Sequence, residues 1–366
     1  MKHTYLFLII LLFAVACTKN DAVVPTSKQE ATYFPPMGGS TDWATTPPES
    51  LGWAVAQIQP LYDYLQTTNT RAFIVLKDGK IVLEKYFGSN ITNTGTFDRN
   101  SSWYWASAGK TLTGFVIGKA QEEKFLSIDQ KTALYLGVGW TSLPVAKESL
   151  ITIRHQLTMT SGLDDGVPNN NSTNLASLVY KADAGTRWAY HNAPYTLLEK
   201  VISKAVGQSF DAYFGTRLVN KIGMDGQWIW NGDNHVFFST ARSMARFGLL
   251  MLNNGNWAGQ SILNDAAFVV ASTTTSQPLN NSYGYLWWLN GKASIMVPGL
   301  QTVFPTSISP NAPTDLIAAM GKNGQLVNVI PSKNLVVIRM GDAADIALVP
   351  FTYQNEIWKR LSLVIN

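Results

Sequence analysis

The sequence predicts an α+β protein: an antiparallel sheet built from both chain ends, flanked by helices and interrupted by a mainly helical inserted subdomain. Three observations carry this prediction. Strand-like runs surround Asp78-Gly79, apolar residues recur at helical spacing from Ser107 to about Leu252, and short β-branched runs return near the C-terminus.

Taken in order, a helix is expected over roughly Pro48–Leu65. RAFIVLKDGKIVLEKYF then reads as two strands joined by a tight Asp78-Gly79 turn. NLASLVYKA, APYTLLEKVISKAV, DAYFGTRLVNKI and STARSMARFGLLMLNN place apolar residues at helical spacing, punctuated by Gly185, Gly207, Gly223 and Gly255. DLIAAM, QLVNVIP and NLVVIRMG read as strands separated by turn residues, and FTYQNEIWKRLSLVI as a closing amphipathic helix. The sheet is therefore expected from about residues 45–100 and 280–366 and the helical region from about 101–279, all within one domain over 45–366. No internal repeat is visible.

The chain has 366 residues, 46% of them hydrophobic and 14% charged, with a formal net charge of +4. That is enough apolar material for a substantial core. No Lys/Arg cluster or basic stripe is present, which argues against nucleic-acid binding. At the N-terminus, Met1-Lys2 precedes the apolar run LFLIILLFAVA, too short to span a bilayer and laid out like an export signal over residues 1–16. Ala14-Val15-Ala16-Cys17 resembles the lipobox of bacterial lipoproteins, which implies an exported protein lipid-anchored to the cell envelope through Cys17. An ordinary signal peptide with an incidental cysteine is the alternative. Residues 17–44, rich in Pro, Thr, Ser and Gly, would form the anchor and a flexible tether. Cys17 is the only cysteine, so no other thiol can serve as nucleophile or ligand.

The chemistry centres on Ser107-Ala108-Gly109-Lys110. On a helix, residues three apart share one face, so the lysine amine can lie against the serine hydroxyl. SSWYWASAGKTLTGFVIGKA contains no Asp or Glu to hold Lys110 charged. Bringing a lysine to neutrality at pH 7 requires a drop of about 3 pK units, roughly 4 kcal/mol, and burial is the force that can supply it. An apolar wall of Trp103, Trp105, Leu112, Phe115 and Val116 is the expected source. The pair reads as a serine nucleophile with a lysine activator; a helix N-cap serine beside a solvated lysine is the other reading. Tyr190-His191-Asn192 adds a phenol able to carry a proton and an amide able to orient a substrate, in a loop leading into a helix. Tyr353-Gln354-Asn355 repeats the pattern within the closing helix, where packing explains the tyrosine better.

With these motifs in place, the chain resembles the serine β-lactamase and penicillin-binding protein superfamily. It is most similar to a class C-like branch that contains family VIII esterases and 6-aminohexanoate-dimer hydrolases. The resemblance runs from about Trp43 to the C-terminus. It also rests on ITIRHQLTMTSGL, GTRWAYHNAPYTLLEKVI, STARSMARFGLLMLNNGNWAGQ, YGYLWWLNG and AAMGKNGQLVNVIPSKNLVV. It implies a β-lactamase/transpeptidase-like fold and a cofactor-free hydrolase acting on a small ester, amide or short-peptide substrate. Ser107 matches the nucleophile, Lys110 its activator, Tyr190 the proton carrier and Asn192 the amide of the same motif. An oxyanion would be held by the Ser107 N–H and one from a late strand. Two relatives in function stay open: a D-alanyl-D-alanine carboxypeptidase or β-lactamase, and a non-catalytic surface lipoprotein on the same scaffold.

The family's third motif, usually Lys-Thr-Gly or His-x-Gly, departs here. One register aligns Ala319-Met320-Gly321 with it and makes Lys322 the N–H donor; the other takes Lys322-Asn323-Gly324. The first removes the cationic anchor for a carboxylate and favours a neutral ester or amide. Other residues carry less. His155 reads as structural and His191 as pointing away, and His235 shows no partner pattern. Asp164-Asp165 falls in a loop, and Trp188, Trp287 and Trp288 read as core or as the wall of an acyl pocket. No spacing suggests a metal site, and no Gly-x-Ser-x-Gly elbow is present.

Overall fold

The computed structural model describes Met1, residues 32–37 and residues 42–365. The export signal, Cys17 and most of the tether lie outside the described residues. Helix α1 (Ile58–Thr67) leads into strands β1 (Thr70–Lys77) and β2 (Lys80–Tyr86). A short strand β3 (Ser102–Tyr104) precedes helix α2 (Lys110–Glu122), and helix α3 (Asn192–Val206) follows a long stretch of loops and short helical turns. Strands β4 (Gln227–Asn231) and β5 (Asn234–Thr240) form a hairpin before helix α4 (Ala241–Leu252). Strands β6 (Trp288–Leu289), β7 (Ile317–Gly321), β8 (Gln325–Ile330) and β9 (Leu335–Gly341) precede the closing helix α5 (Phe351–Ile365).

Both chain ends build the main sheet, in the order β2-β1-β9-β8-β7-β6 with every neighbouring pair antiparallel. The β1–β2 turn is tight because Asp78 and Gly79 both take positive φ, 50° and 81°, the geometry that matches strand twist. Successive strand residues face opposite sides, and β9 shows what each side meets. Ile338 lies beneath Gly248 of α4, whose missing side chain lets the helix approach until Val336 and Val327 would touch a Cβ there. The next residue, Arg339, points the other way and lies 4.9 Å from the Tyr353 ring of α5. Helices thus cover both faces, and the strands are apolar nearly throughout, as a doubly covered sheet requires. Helix α2 is buried almost all round, from Lys110 to Gly118 and again at Ala120, which marks it as the central helix of the core.

Two expectations need correction. The helix placed over Pro48–Leu65 is two short 3-10 turns and then α1, because Gly52 leaves the first turn with φ of 69°. In NLASLVYKA only Leu175–Ser177 turns helically. Its apolar residues do not share a buried face: Leu178 is buried whereas Leu175 and Tyr180 are exposed. Within the mainly helical central region, β3, β5 and β4 form a second antiparallel sheet. Its signal was present in the aromatic and β-branched runs on either side of Gly232-Asp233.

Candidate active site

Ser107 sits in a 3-10 turn, Ala106–Gly109, that runs into α2. Ala106, directly before it, has φ of 46°, a costly conformation for a residue with a Cβ. The strain falls where the chain changes from β3 to helix, beside the candidate nucleophile. Ser107 Oγ caps neither the turn nor α2, so the capping alternative has no contact behind it.

Lys110 begins α2 and is 5% exposed. Its Nζ donates to Ser107 Oγ at 3.0 Å. Burial alone pushes the amine down to about 7, with no charged neighbour contributing. The nearest rings are not those expected from the local sequence. They come from the loop before α3 and from α3 itself: Nζ lies 5.3 Å from the Tyr190 ring centre and 4.4 Å from that of Tyr195. Trp103, Trp105, Leu112, Phe115 and Val116 belong to the surrounding core.

Tyr190 completes the group. Burial pushes its pKa up, with the neighbouring Ser107 side chain pulling the other way, so the phenol stays protonated at neutral pH. The ring stacks on Trp288, 5.9 Å between centres and 20° between planes. Trp188 and Trp287 are buried as well, and none of the three tryptophans lines the cavity in front of Ser107.

That cavity, about 370 Å³, is lined by Ser107, Lys110, Tyr190, Asn192 and Lys322 among others. Asn192 opens α3, and its Nδ2 donates to Asn171 Oδ1 at 2.6 Å. Gly321 ends β7 against the nucleophile turn; a Cβ there would strike the Trp105 carbonyl oxygen and come within 3.1 Å of the Ser107 nitrogen. Ala319-Met320-Gly321 therefore lies on the strand beside Ser107, whereas Lys322-Asn323-Gly324 forms the β7–β8 turn. That turn is held from behind. Arg339 Nη1 donates to the carbonyls of Asn323, at 2.5 Å, and Gly324, at 3.2 Å, while Asn323 Nδ2 donates to the Tyr104 hydroxyl at 2.8 Å.

The remaining candidates separate. His155 is structural: its Nδ1 accepts the Thr152 N–H at 3.1 Å and its own N–H is capped by Thr152 Oγ1. His191 is buried, and desolvation pushes it down to about 4, so it is a neutral imidazole. Tyr353 is buried, its hydroxyl 3.0 Å from Thr68 Oγ1 and 3.2 Å from Thr70 Oγ1. Asp165 pairs with Arg187 at 2.6 Å and Asp164 with Lys181 at 3.4 Å, bracing their loop. His235 lines the cavity, and its Nδ1 lies 2.8 Å from Glu199 Oε2. Sequence reading missed Tyr195 and Glu199. A usable signal existed, since Asn192, Tyr195, Thr196 and Glu199 fall at i, i+3, i+4 and i+7, a polar stripe along one face of the helix. Among the described residues, no group of three or more His, Cys, Asp or Glu side chains converges as a metal site would require.

Residues 65–343 match the Beta-lactamase family. The chain belongs to the beta-lactamase family. An uncharacterised protein of Alkalihalophilus pseudofirmus is 23% identical over 315 residues, 78% of this chain and 87% of that one. Among solved structures, a penicillin-binding protein homologue from Caulobacter crescentus superposes with a TM-score of 0.67 at 12% identity, covering 88% of this chain and 99% of that one. A family VIII carboxylesterase gives 0.65 at 13% identity, covering 87% and 99%. A protein assigned as a 6-aminohexanoate-dimer hydrolase from Bacillus anthracis gives 0.63 at 19%, covering 84% and 83%. At these identities the superpositions establish a shared β-lactamase-like fold.

Proposed function

We propose that this beta-lactamase family member is a serine hydrolase that cleaves an ester or amide bond through an acyl-enzyme on Ser107. The supporting observation is a serine hydroxyl held between a buried amine and a buried phenol, at a cavity large enough for a small ligand. The neutral Lys110 amine takes the Ser107 proton as Oγ adds to the carbonyl carbon. The oxyanion faces the main-chain amides of Ser107 and Lys322; one such donor is worth about 10²–10³ in rate. As the intermediate collapses, Tyr190 gives its proton to the departing alcohol or amine, and the Lys110 ammonium restores it. Water then adds to the acyl ester, passes its proton along the same path, and the acid leaves as Ser107 regains its hydrogen.

Ala319-Met320 in place of a basic third motif supports a neutral ester or amide. Lys322, exposed at the cavity rim, supports the second reading, a carboxypeptidase or β-lactamase that pairs a substrate carboxylate. Intact-mass spectrometry after incubation with short nitrophenyl esters, amides and a cephalosporin tests both. Acylation at Ser107 with ester turnover exceeding cephalosporin turnover supports the first reading; the reverse order supports the second. Failure of a fluorophosphonate to label Ser107 in the folded protein would leave a binding lipoprotein. Export and lipid anchoring through Cys17 belong to the same proposal, and a Cys17→Ser chain that still partitions into membranes would refute them.

A further inference from the structure

The walls of the cavity carry a chemistry that the hydrolytic step does not use. Among the described residues, five carboxamides line it, Asn170, Asn171, Asn192, Asn231 and Asn234, together with His235, and no carboxylate does. They come from the loop that follows Gly166, from the start of α3, and from both sides of the Gly232-Asp233 turn, where Asn231 and Asn234 pair across the hairpin. The opposing walls are braced against each other: Asn169 Nδ2 donates to Asp233 Oδ2 at 2.9 Å, tying the loop to the turn. Asn170 Nδ2 donates to the Asp165 carbonyl at 3.0 Å, which orients its amide. Asn192 Oδ1 is buried and has no protein partner. His235 is locked by Glu199 at 2.8 Å and by stacking on Trp230, 4.2 Å between centres and 7° between planes. Its Nε2 is the one polar atom that pairing leaves over.

Each carboxamide offers a donor and an acceptor without charge. A long acyl chain would ask for walls that are apolar throughout, whereas here the apolar surface of Ala106, Val236, Leu348 and the Tyr190 and Tyr195 rings is about equalled by polar surface. A strongly anionic group would ask for clustered cations, yet among the described residues Lys322 is the single full cation on the lining, because burial holds Lys110 at about 7. What fits is a neutral group dense in hydroxyls, each of which both gives and accepts a hydrogen bond. Resting on the hydrolase reading above, we propose that the cavity binds the sugar part of an O-acylated saccharide. Ser107 Oγ forms a bond to the acyl carbon, the bond from that carbon to the sugar oxygen breaks, and the sugar leaves as a free hydroxyl. Water then releases the carboxylic acid.

The full-length chain in detergent is assayed with methyl 6-O-acetylglucoside, glycerol monoacetate, ethyl acetate, an N-acetylated dipeptide amide and p-nitrophenyl acetate. The expected result is a kcat/KM for the sugar ester about tenfold or more above that for ethyl acetate and glycerol monoacetate. Asn231→Ala and Asn234→Ala, both at a surface turn, should each lower the sugar-ester value several-fold more than the ethyl acetate value, with circular dichroism reporting an intact fold. Turnover of p-nitrophenyl acetate and labelling of Ser107, with the sugar ester no better than ethyl acetate, overturns the saccharide and leaves the hydrolase standing. A glycerol ester or peptide amide that equals the sugar ester overturns it likewise. No labelling and no turnover of any substrate overturns both.

Discussion

The amine of Lys110 lies 4.4 Å from the centre of the Tyr195 ring, so part of the wall that buries this amine belongs to a helix other than its own. Tyr195 is in turn fixed by Thr113 of α2, hydroxyl to hydroxyl at 3.0 Å. One helix supplies the amine and the other contributes a ring to its surroundings.

The ring, more than the hydroxyl, should set the Lys110 pKa. Tyr195→Phe keeps the ring and should leave the acid limb of the pH profile near 7. Tyr195→Ser admits water, which stabilises the ammonium, and should move that limb upward by about one unit. The measurement is kcat/KM for a nitrophenyl ester from pH 5.5 to 9.5. Identical profiles for the two variants would show that Tyr195 does not desolvate the amine.

Removing the amine should trade activity for stability. The unfolded chain binds a proton at Lys110 up to its ordinary value near 10.4, whereas the folded chain does so only below about 7. Between those values the unfolded state holds more protons, so this group makes stability rise with pH across that window. Lys110→Met should lose about 10²–10⁴ in acylation rate. It should also gain a few degrees in Tm at pH 7, with the gain shrinking toward pH 10. Thermal melts of both proteins at pH 7 and 9.5 provide the comparison.

Tyr190→Phe preserves the stack on Trp288 and should fold normally. Its kcat should fall by about 10²–10⁴, the range for a lost proton carrier. Full activity would remove Tyr190 from the proton path.

Gly321→Ala should be damaging although it adds one carbon. The new Cβ meets the Trp105 carbonyl oxygen, a backbone atom that cannot swing aside. A loss of about 1–3 kcal/mol is expected, together with a lower kcat, because β7 must retreat from Ser107. Chemical denaturation with steady-state kinetics reads both effects, and wild-type values in both would show that the strand tolerates the shift.

Local pattern was a good guide wherever burial is local. The runs around Asp78-Gly79, the segment of α3 and the whole of α5 were legible because alternation and helical spacing record which side of an element meets the core. NLASLVYKA misled for the same reason, since its spacing imitates a helix whose apolar face has nothing to pack on. The β4–β5 hairpin went unread between helical segments even though Gly232-Asp233 marked its turn.

By itself the sequence determined the serine and lysine at helical spacing, the tyrosine and asparagine that follow, and a sheet drawn from both chain ends. Only the tertiary structure decided that Tyr195 covers the amine, that Glu199 meets His235, and that Gly321, with Lys322 after it, stands beside Ser107. Spacing along a chain specifies which residues share a face. Which faces meet depends on how the sheet closes and the helices pack, and those contacts join segments far apart in sequence.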